Sequence, residues 1–429
     1  MAKRILAFLV CVSVALSLSA SALAAPSWLY VAGEDEICLG ASADGTRFLL
    51  GEIMPNELPN SRELRLRVLD TVSKASHELY YAGDTDYAFY ADELLTSSFK
   101  LGEAEKNAVL EQYGGAAAVM MRMGWYYWPE QTGAVGDYLL LAGDGELGGA
   151  RVDLRTGEAI PLPRASASMA ADGSVLFLNY ETRLLKVLRP EHTEPEPLAL
   201  PAEKAVFYLS ACLLSDGSVW VIERTDRAEQ PKVEGKRMLV RDHAFVHYGA
   251  DGQELRRVPI GGFNLGKGDP EILLYSEKTG VGVAYDSMHS STSYLWTFNQ
   301  DDQTAKAFVH ASLDPPVLRR AEHDEVVDEY GYALGDVREQ IVPMGLSQDE
   351  ERVMLLDAEA NALLLLDLNT LQADVALGET QLNTLLEQKP LWCMLSEVLD
   401  LAYLSWNGGD LLCGRVNPYG YALQLSLDD

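Results

Sequence analysis

Met169-Ala-Ala-Asp172-Gly173-Ser-Val-Leu-Phe-Leu-Asn-Tyr180 reads as a strand, a tight Asp-Gly turn and a second, wholly apolar strand. Weaker copies recur. Ala41-Ser-Ala-Asp44-Gly45-Thr-Arg-Phe-Leu-Leu50 and Leu213-Leu-Ser-Asp216-Gly217-Ser-Val-Trp-Val-Ile222 keep the dipeptide, and Leu346-Ser-Gln-Asp349-Glu350-Glu-Arg-Val-Met-Leu-Leu356 has lost the glycine. A unit repeated in this way dictates architecture before it says anything of chemistry.

The central strands are apolar on successive residues: Leu139-Leu-Leu141, Val175-Leu-Phe-Leu178, Val219-Trp-Val-Ile222 and Val353-Met-Leu-Leu356. A sheet with one wet face alternates apolar and polar residues, so strands like these need cover on both faces. Leu64 to Leu69 and Leu255 to Val258 mix charge into the pattern, as a solvent-facing rim does. Small four-stranded sheets packed face to face around an axis satisfy both kinds of strand. Through its Asp-Gly hairpins followed by apolar strands, most of the chain resembles an extracellular β-propeller of the WD40-like or YVTN/TolB-like kind. The Gly-His and Trp-Asp signatures of true WD40 repeats are absent. The resemblance implies an all-β fold and no particular activity; a two-domain β-sandwich protein is the alternative.

Unit counting gives about seven blades. Asp172 and Asp216 are 44 residues apart, whereas Asp44 to Asp172 is 128 and Asp216 to Asp349 is 133. Two units with insertions fill each long interval; three without them would raise the count, so eight blades stay open. Helical spacing marks insertions at about 92–114 and about 319–340. The last unit ends with three strands near Asp429, and Trp28 to Val31 has no hairpin partner beside it. Pairing the two would join the termini in the last blade and remove an exposed edge.

Residues 1–24 read as a signal peptide, with Lys3 and Arg4 before an apolar stretch and Ala22-Leu23-Ala24 as the processing site. Residues 25–429 then form one propeller domain. No later segment has the run of about 18 apolar residues that spans a bilayer. A secreted or extracytoplasmic monomer, without membrane insertion, is expected. The whole chain of 429 residues carries a net charge of −30, and processing would deepen it by removing only basic residues. Such a surface repels phosphate backbones, so nucleic acid is not an expected partner.

Chemistry-bearing motifs are sparse. Gly261 to Lys267 resembles the front of a phosphate loop, but Gly268 stands where a hydroxyl should hold magnesium and no helix follows. Gly40-Ala-Ser42 and Gly345-Leu-Ser347 lack the last glycine of a nucleophile elbow. His243 and His247 lie four apart on a strand, with no third metal ligand nearby. His323-Asp324-Glu325 with Asp328-Glu329 reads as a solvated helix face. Asp84-Thr-Asp86 begins like a calcium loop that Ala88 and Tyr90 do not continue. No cofactor and no metal are implied. Of the cysteines beyond the signal, Cys38, Cys212, Cys393 and Cys413, the pair to test as a disulfide is Cys393 with Cys413.

The densest unusual stretch is Trp125-Tyr126-Tyr127-Trp128-Pro129, whose flat faces suit a sugar ring or a peptide; two of them packing between blades is the rival reading. The expected function is non-catalytic binding of a protein or carbohydrate partner through loops at one mouth of the ring. The alternative is an extracellular hydrolase or lyase whose carboxylates converge in the central channel.

Overall fold

The computed structural model describes residues 27–31, 36–42, 44–55, 62–81, 95–96, 100–113, 130–142, 150–162, 165–170, 172–179, 184–201, 206–226, 232–233, 236–237, 241–261, 270–286, 295–322, 341–357, 360, 362–378, 403–406, 411–416 and 419–424. Among them are seven antiparallel sheets of four or five strands and one two-stranded ribbon. Sheet 1 runs Glu36–Ala41, Arg47–Pro55, Arg62–Asp70, Ser76–Tyr81, and sheet 2 runs Glu130–Val135, Tyr138–Ala142, Ala150–Asp153, Glu158–Pro161. Sheet 3 holds Ala165–Met169, Val175–Asn179, Leu184–Leu188 and Glu196–Pro197. Sheet 4 holds Val206–Leu213, Val219–Asp226, Arg241–Tyr248 and Glu254–Gly261. Sheet 5 has Pro270–Tyr275, Val281–Asp286, Leu295–Asn299, Lys306–Leu313 and a fifth strand, Pro316–Arg320. Sheet 6 has Ile341–Leu346, Arg352–Asp357, Ala362–Asp367 and Gln372–Leu377. Sheet 7 joins Tyr403–Trp406, Leu411–Val416 and Tyr419–Gln424 to Ser27–Val31 from the other end of the chain.

The first strands touch in order from sheet 1 to sheet 7, and Glu36–Ala41 also touches Leu411–Val416 and Tyr419–Gln424. Successive residues of one strand therefore face different neighbours. In sheet 4, Trp220, Ile222 and Phe245 pack on Leu273, Ala284, Trp296 and Phe298 of sheet 5. The alternate residues Val219, Val221, Ala244, Val246 and Tyr248 pack on Leu176, Leu178, Leu185 and Val187 of sheet 3. Sheet 3 in turn sends Val175, Phe177 and Leu188 toward Leu140 of sheet 2, and sheet 5 sends Val281, Val283, Leu295 and Phe308 toward sheet 6. This period-two partition is what uninterrupted apolar strands require. Two layers of cover on sheets 3, 4 and 5, with first strands touching in order around the chain, make a β-propeller architecture.

Antiparallel order puts the turns joining first to second and third to fourth strands at one end of each sheet, and the remaining connections at the other. Turn-end loops are short, among them 42–46, 136–137, 170–174, 214–218, 276–280 and 347–351. The long connections 82–129, 227–240 and 378–402 all leave from the opposite, loop end. Residues 321–340 follow the fifth strand of sheet 5, which runs back toward the turn end.

Some expectations meet a different structure. The first strand of sheet 2, Glu130–Val135, has no counterpart among the strands read from the sequence. In the region expected as a second helical insertion, Arg319 and Arg320 belong to a strand and 323–340 lie outside the described residues. Within 92–114 an α-helix covers Glu103–Tyr113.

Candidate functional site

The turn end is held shut by its own chemistry. Asp216 accepts the Ser218 backbone N–H at 2.8 Å and its hydroxyl at 2.5 Å, and Asp172 does the same for Ser174. In the Asp44 and Asp349 turns the serine lies two residues before the carboxylate instead; Ser42 and Ser347 donate to it and accept the N–H of Arg47 and Arg352. These are Asx-type turns, in which the side chain replaces a backbone partner. Hydrogen bonds from Ser218 and Ser347 hold the Asp216 and Asp349 carboxyls below their ordinary values.

Consecutive turns are also tied to each other. The Arg47 guanidinium of sheet 1 pairs with Asp137 of sheet 2. Arg151 of sheet 2, 3% exposed, donates to the carbonyls of Arg189, Pro190 and His192 in sheet 3. Ser215 donates its N–H and hydroxyl to Glu277, joining sheets 4 and 5. Ser276 donates to the Glu350 carbonyl at 2.7 Å and Lys278 pairs with Glu351 at 2.8 Å, joining sheets 5 and 6.

One such turn imitates a catalytic group. His247 Nε2 lies 2.8 Å from Ser218 Oγ, and Ser218 Oγ lies 2.5 Å from Asp216. The order is wrong for a nucleophilic triad. The serine gives its proton to the carboxylate, so it accepts from Nε2–H, and Asp216 does not orient the imidazole. The same serine–aspartate contact occurs in turns that have no histidine, and the His247 ring stacks on Trp220 with centroids 4.8 Å apart. This group is a staple.

Burial lowers the His247 pKa, against the opposing pull of Asp216. The unfolded chain takes up a proton as pH falls through about 6.5 while the folded chain resists it. His247 therefore contributes stability that is present above that pH and lost as pH falls toward the lowered folded value. Urea midpoints at pH 7.5 and 5.5 should show a drop on acidification that is smaller in His247→Gln; an equal drop in both proteins would refute the assignment.

The loop end carries different chemistry. At its sheet 4 edge the Arg224 and Arg241 guanidinia both approach Asp226 Oδ1, at 3.2 and 3.8 Å, and Arg224 lies over the Phe207 ring at 4.3 Å. His243, on the same strand as His247, is buried beside them in register with Arg224. Between the second and third strands of sheet 4 stands the ribbon, with Lys232 opposite Arg237 and Val233 opposite Lys236. Where sheets 5 and 6 meet, His310 Nε2 pairs with Asp357 at 2.6 Å, with side chains 5% and 0% exposed. Asp357 also accepts the Ala360 N–H at 2.9 Å.

Trp125, Tyr126, Tyr127 and Trp128 lie outside the described residues, on the 82–129 connection of the loop end. Cys393 lies outside them too, and Cys413 stands in its strand between Ser405 and Ala422. Residues 262–268 of the glycine-rich loop, Asp84, Asp86 and the 323–329 acidic run are likewise outside. Cys212 is a free thiol that burial pushes up to about 12, a poor nucleophile at neutral pH. Among the described residues no group of three or more His, Cys, Asp and Glu could hold a metal ion, and no helix is long and apolar enough to cross a membrane.

Sequence reasoning missed the buried Arg151, the His310–Asp357 pair and the ribbon. Only the ribbon had a local signal, since residues 224–241 hold six basic residues against three acidic ones in a strongly acidic chain.

No family model matches the chain, and no curated protein matches its sequence. Among solved structures it is similar to hydrazine synthase of Kuenenia stuttgartiensis, at 9% identity over 95% of this chain and 97% of that one, TM-score 0.41. A streptogramin B lyase is similar at 9% identity over 94% and 97%, TM-score 0.42, and a nidogen/laminin complex at 13% over 57% and 77%, TM-score 0.31. By its own strand order and two-faced packing, the chain is a β-propeller in architecture.

Proposed function

We propose that the protein is an exported, non-catalytic propeller of seven blades, closed by its first strand, that binds a protein or carbohydrate partner at the loop end. The observation that carries this reading is the division of labour between the two ends. Short turns at one end spend their polar groups on each other, while three of the four longest connections, 82–129, 227–240 and 378–402, leave from the other, where loops on a rigid frame are free to vary. Closure is supported by the pairing of Ser27–Val31 with Tyr419–Gln424 and by the contacts of sheet 7 with sheet 1. Export is supported by the amino-terminal sequence.

The aromatic run on the 82–129 connection is the proposed anchor. A glycan array, with a pull-down from the native extracellular medium beside it, should give a retained ligand. Trp128→Ala should weaken its retention about 30-fold, the size of an aromatic hot spot worth ~2 kcal/mol, without changing thermal unfolding. Unaltered retention together with unaltered stability would remove Trp128 from the site.

A further inference from the structure

We propose that the fifth strand of sheet 5, Pro316–Arg320, is a docking edge for an extended acidic segment of a partner protein, which adds to it as a sixth antiparallel strand; this surface is independent of the loop-end site. Sheet 5 alone among the described sheets carries a fifth strand, and no described strand pairs with its outer edge. Register fixes what that edge offers. Val309 is opposite Arg319 and His310 is opposite Leu318, and the Ala321 N–H bonds the Ala307 carbonyl at 2.8 Å. Bonded and non-bonded positions alternate along an antiparallel pair, so Ala321 and Arg319 spend their main-chain groups on the fourth strand. Leu318 and Arg320 turn theirs outward, at positions about 7 Å apart. The strand is firmly held, because Leu318 packs on the core shared by sheets 5 and 6.

Charge selects the occupant. The outer strands Ser76–Tyr81, Glu158–Pro161, Glu196–Pro197 and Gln372–Leu377 each contain an acid and no lysine or arginine. Pro316–Arg320 has the opposite character, with two exposed arginines and no acid, in a chain of net charge −30. The Arg319 guanidinium donates to the outward Arg320 carbonyl at 3.3 Å, which puts positive charge at the edge itself. An acid directly across from either arginine is favourable, and a basic residue there is not. A second copy of this chain would bring its own arginines and the same net charge to the edge, so it is disfavoured. Salt screens the acidic remainder of the surface beyond about 8 Å, so an acidic partner is tolerated where it arrives as one narrow strand. Val317, 44% exposed beside the arginines, gives that strand an apolar neighbour. Strand addition draws affinity from main-chain hydrogen bonds and specificity from alternate side chains, and this edge offers both.

Fluorescence anisotropy of the full chain with labelled peptides of about eight residues tests this. The probe alternates glutamate with valine. One control has lysine in place of glutamate, and another keeps glutamate but has its amides N-methylated, which removes the main-chain donors. The acidic peptide should bind about tenfold more tightly than the lysine peptide, the size of two reversed cross-strand charge pairs, and N-methylation should abolish binding. Arg320→Glu should erase the preference for the acidic peptide, with the unfolding midpoint unchanged. Should that variant not fold, the two peptide comparisons on the intact chain still decide. No binding of the acidic peptide, equal or tighter binding of the lysine peptide, binding that survives N-methylation, or an unchanged preference in folded Arg320→Glu would overturn the proposal. So would a dimer in sedimentation that Arg320→Glu abolishes, which would assign the edge to a second copy. Trp128→Ala should bind the acidic peptide as the intact chain does, which separates this edge from the loop-end site.

Discussion

A chain lacking residues 25–33 should unfold about 10 °C lower than the full protein. Ser27–Val31 meets Tyr419–Gln424 in four register pairs, Ser27 with Gln424, Trp28 with Leu423, Tyr30 with Ala422 and Val31 with Tyr421. At roughly 1 kcal/mol net per backbone hydrogen bond, losing them costs about 4 kcal/mol. For a large domain each kcal/mol shifts the midpoint by roughly 2–4 °C. The deletion also bares the edge of Tyr419–Gln424, so aggregation should accompany unfolding. Differential scanning calorimetry at two protein concentrations checks both effects. An unchanged transition would show that the last sheet is stable with three strands and that closure contributes nothing.

Gly252→Ala should destabilise by about 3 kcal/mol, and Gly217→Ala by only about 1 kcal/mol, although the two turns share a backbone conformation. Gly252 has φ +79° and Gly217 has φ +83°, so a side chain is strained at either. The surroundings separate them. A Cβ at Gly252 would meet the Ala199 carbonyl oxygen at 1.6 Å, whereas one at Gly217 would meet only the Ala250 Cβ, at 3.6 Å. Ala199 is backbone beside the outer strand of sheet 3, so one of the two sheets must move. The gap between the variants in urea unfolding isolates the approach of sheets 3 and 4 from turn strain. Equal losses would mean that the approach carries no energy.

What was legible in the sequence was local or periodic. Asp172-Gly173 and Asp216-Gly217 announce their turns because the carboxylate bonds the backbone two residues on. Val219-Trp-Val-Ile222 announces two-faced burial because no residue in it tolerates water; all four are at most 1% exposed. Glu130–Val135 escaped because Glu-Gln-Thr-Gly looks like a loop, and Gly133 is tolerated where its Cβ would sit 3.3 Å from the Met169 Cβ. Pro316–Arg320 escaped for a related reason: its proline and paired arginines suit an edge strand, and an edge reads as a loop. Ala150–Asp153 carries an arginine and an aspartate in four residues yet is buried throughout, because Arg151 finds carbonyls about forty positions away. His310 and Asp357 are 47 positions apart and share no pattern. Of the candidate site, composition revealed the aromatic run and not the basic connection, and no period relates residues on separate loops.

The pairing of the first strand with the last has a consequence for how the molecule is made. On a ribosome, Ser27–Val31 emerges hundreds of residues before Tyr419–Gln424 exists. Until then it is an apolar tag without a berth, while the middle sheets have their neighbours at once. Assembly of this chain is thus set to proceed from the interior outward and to finish with one contact of the greatest possible sequence separation, the kind that forms slowest.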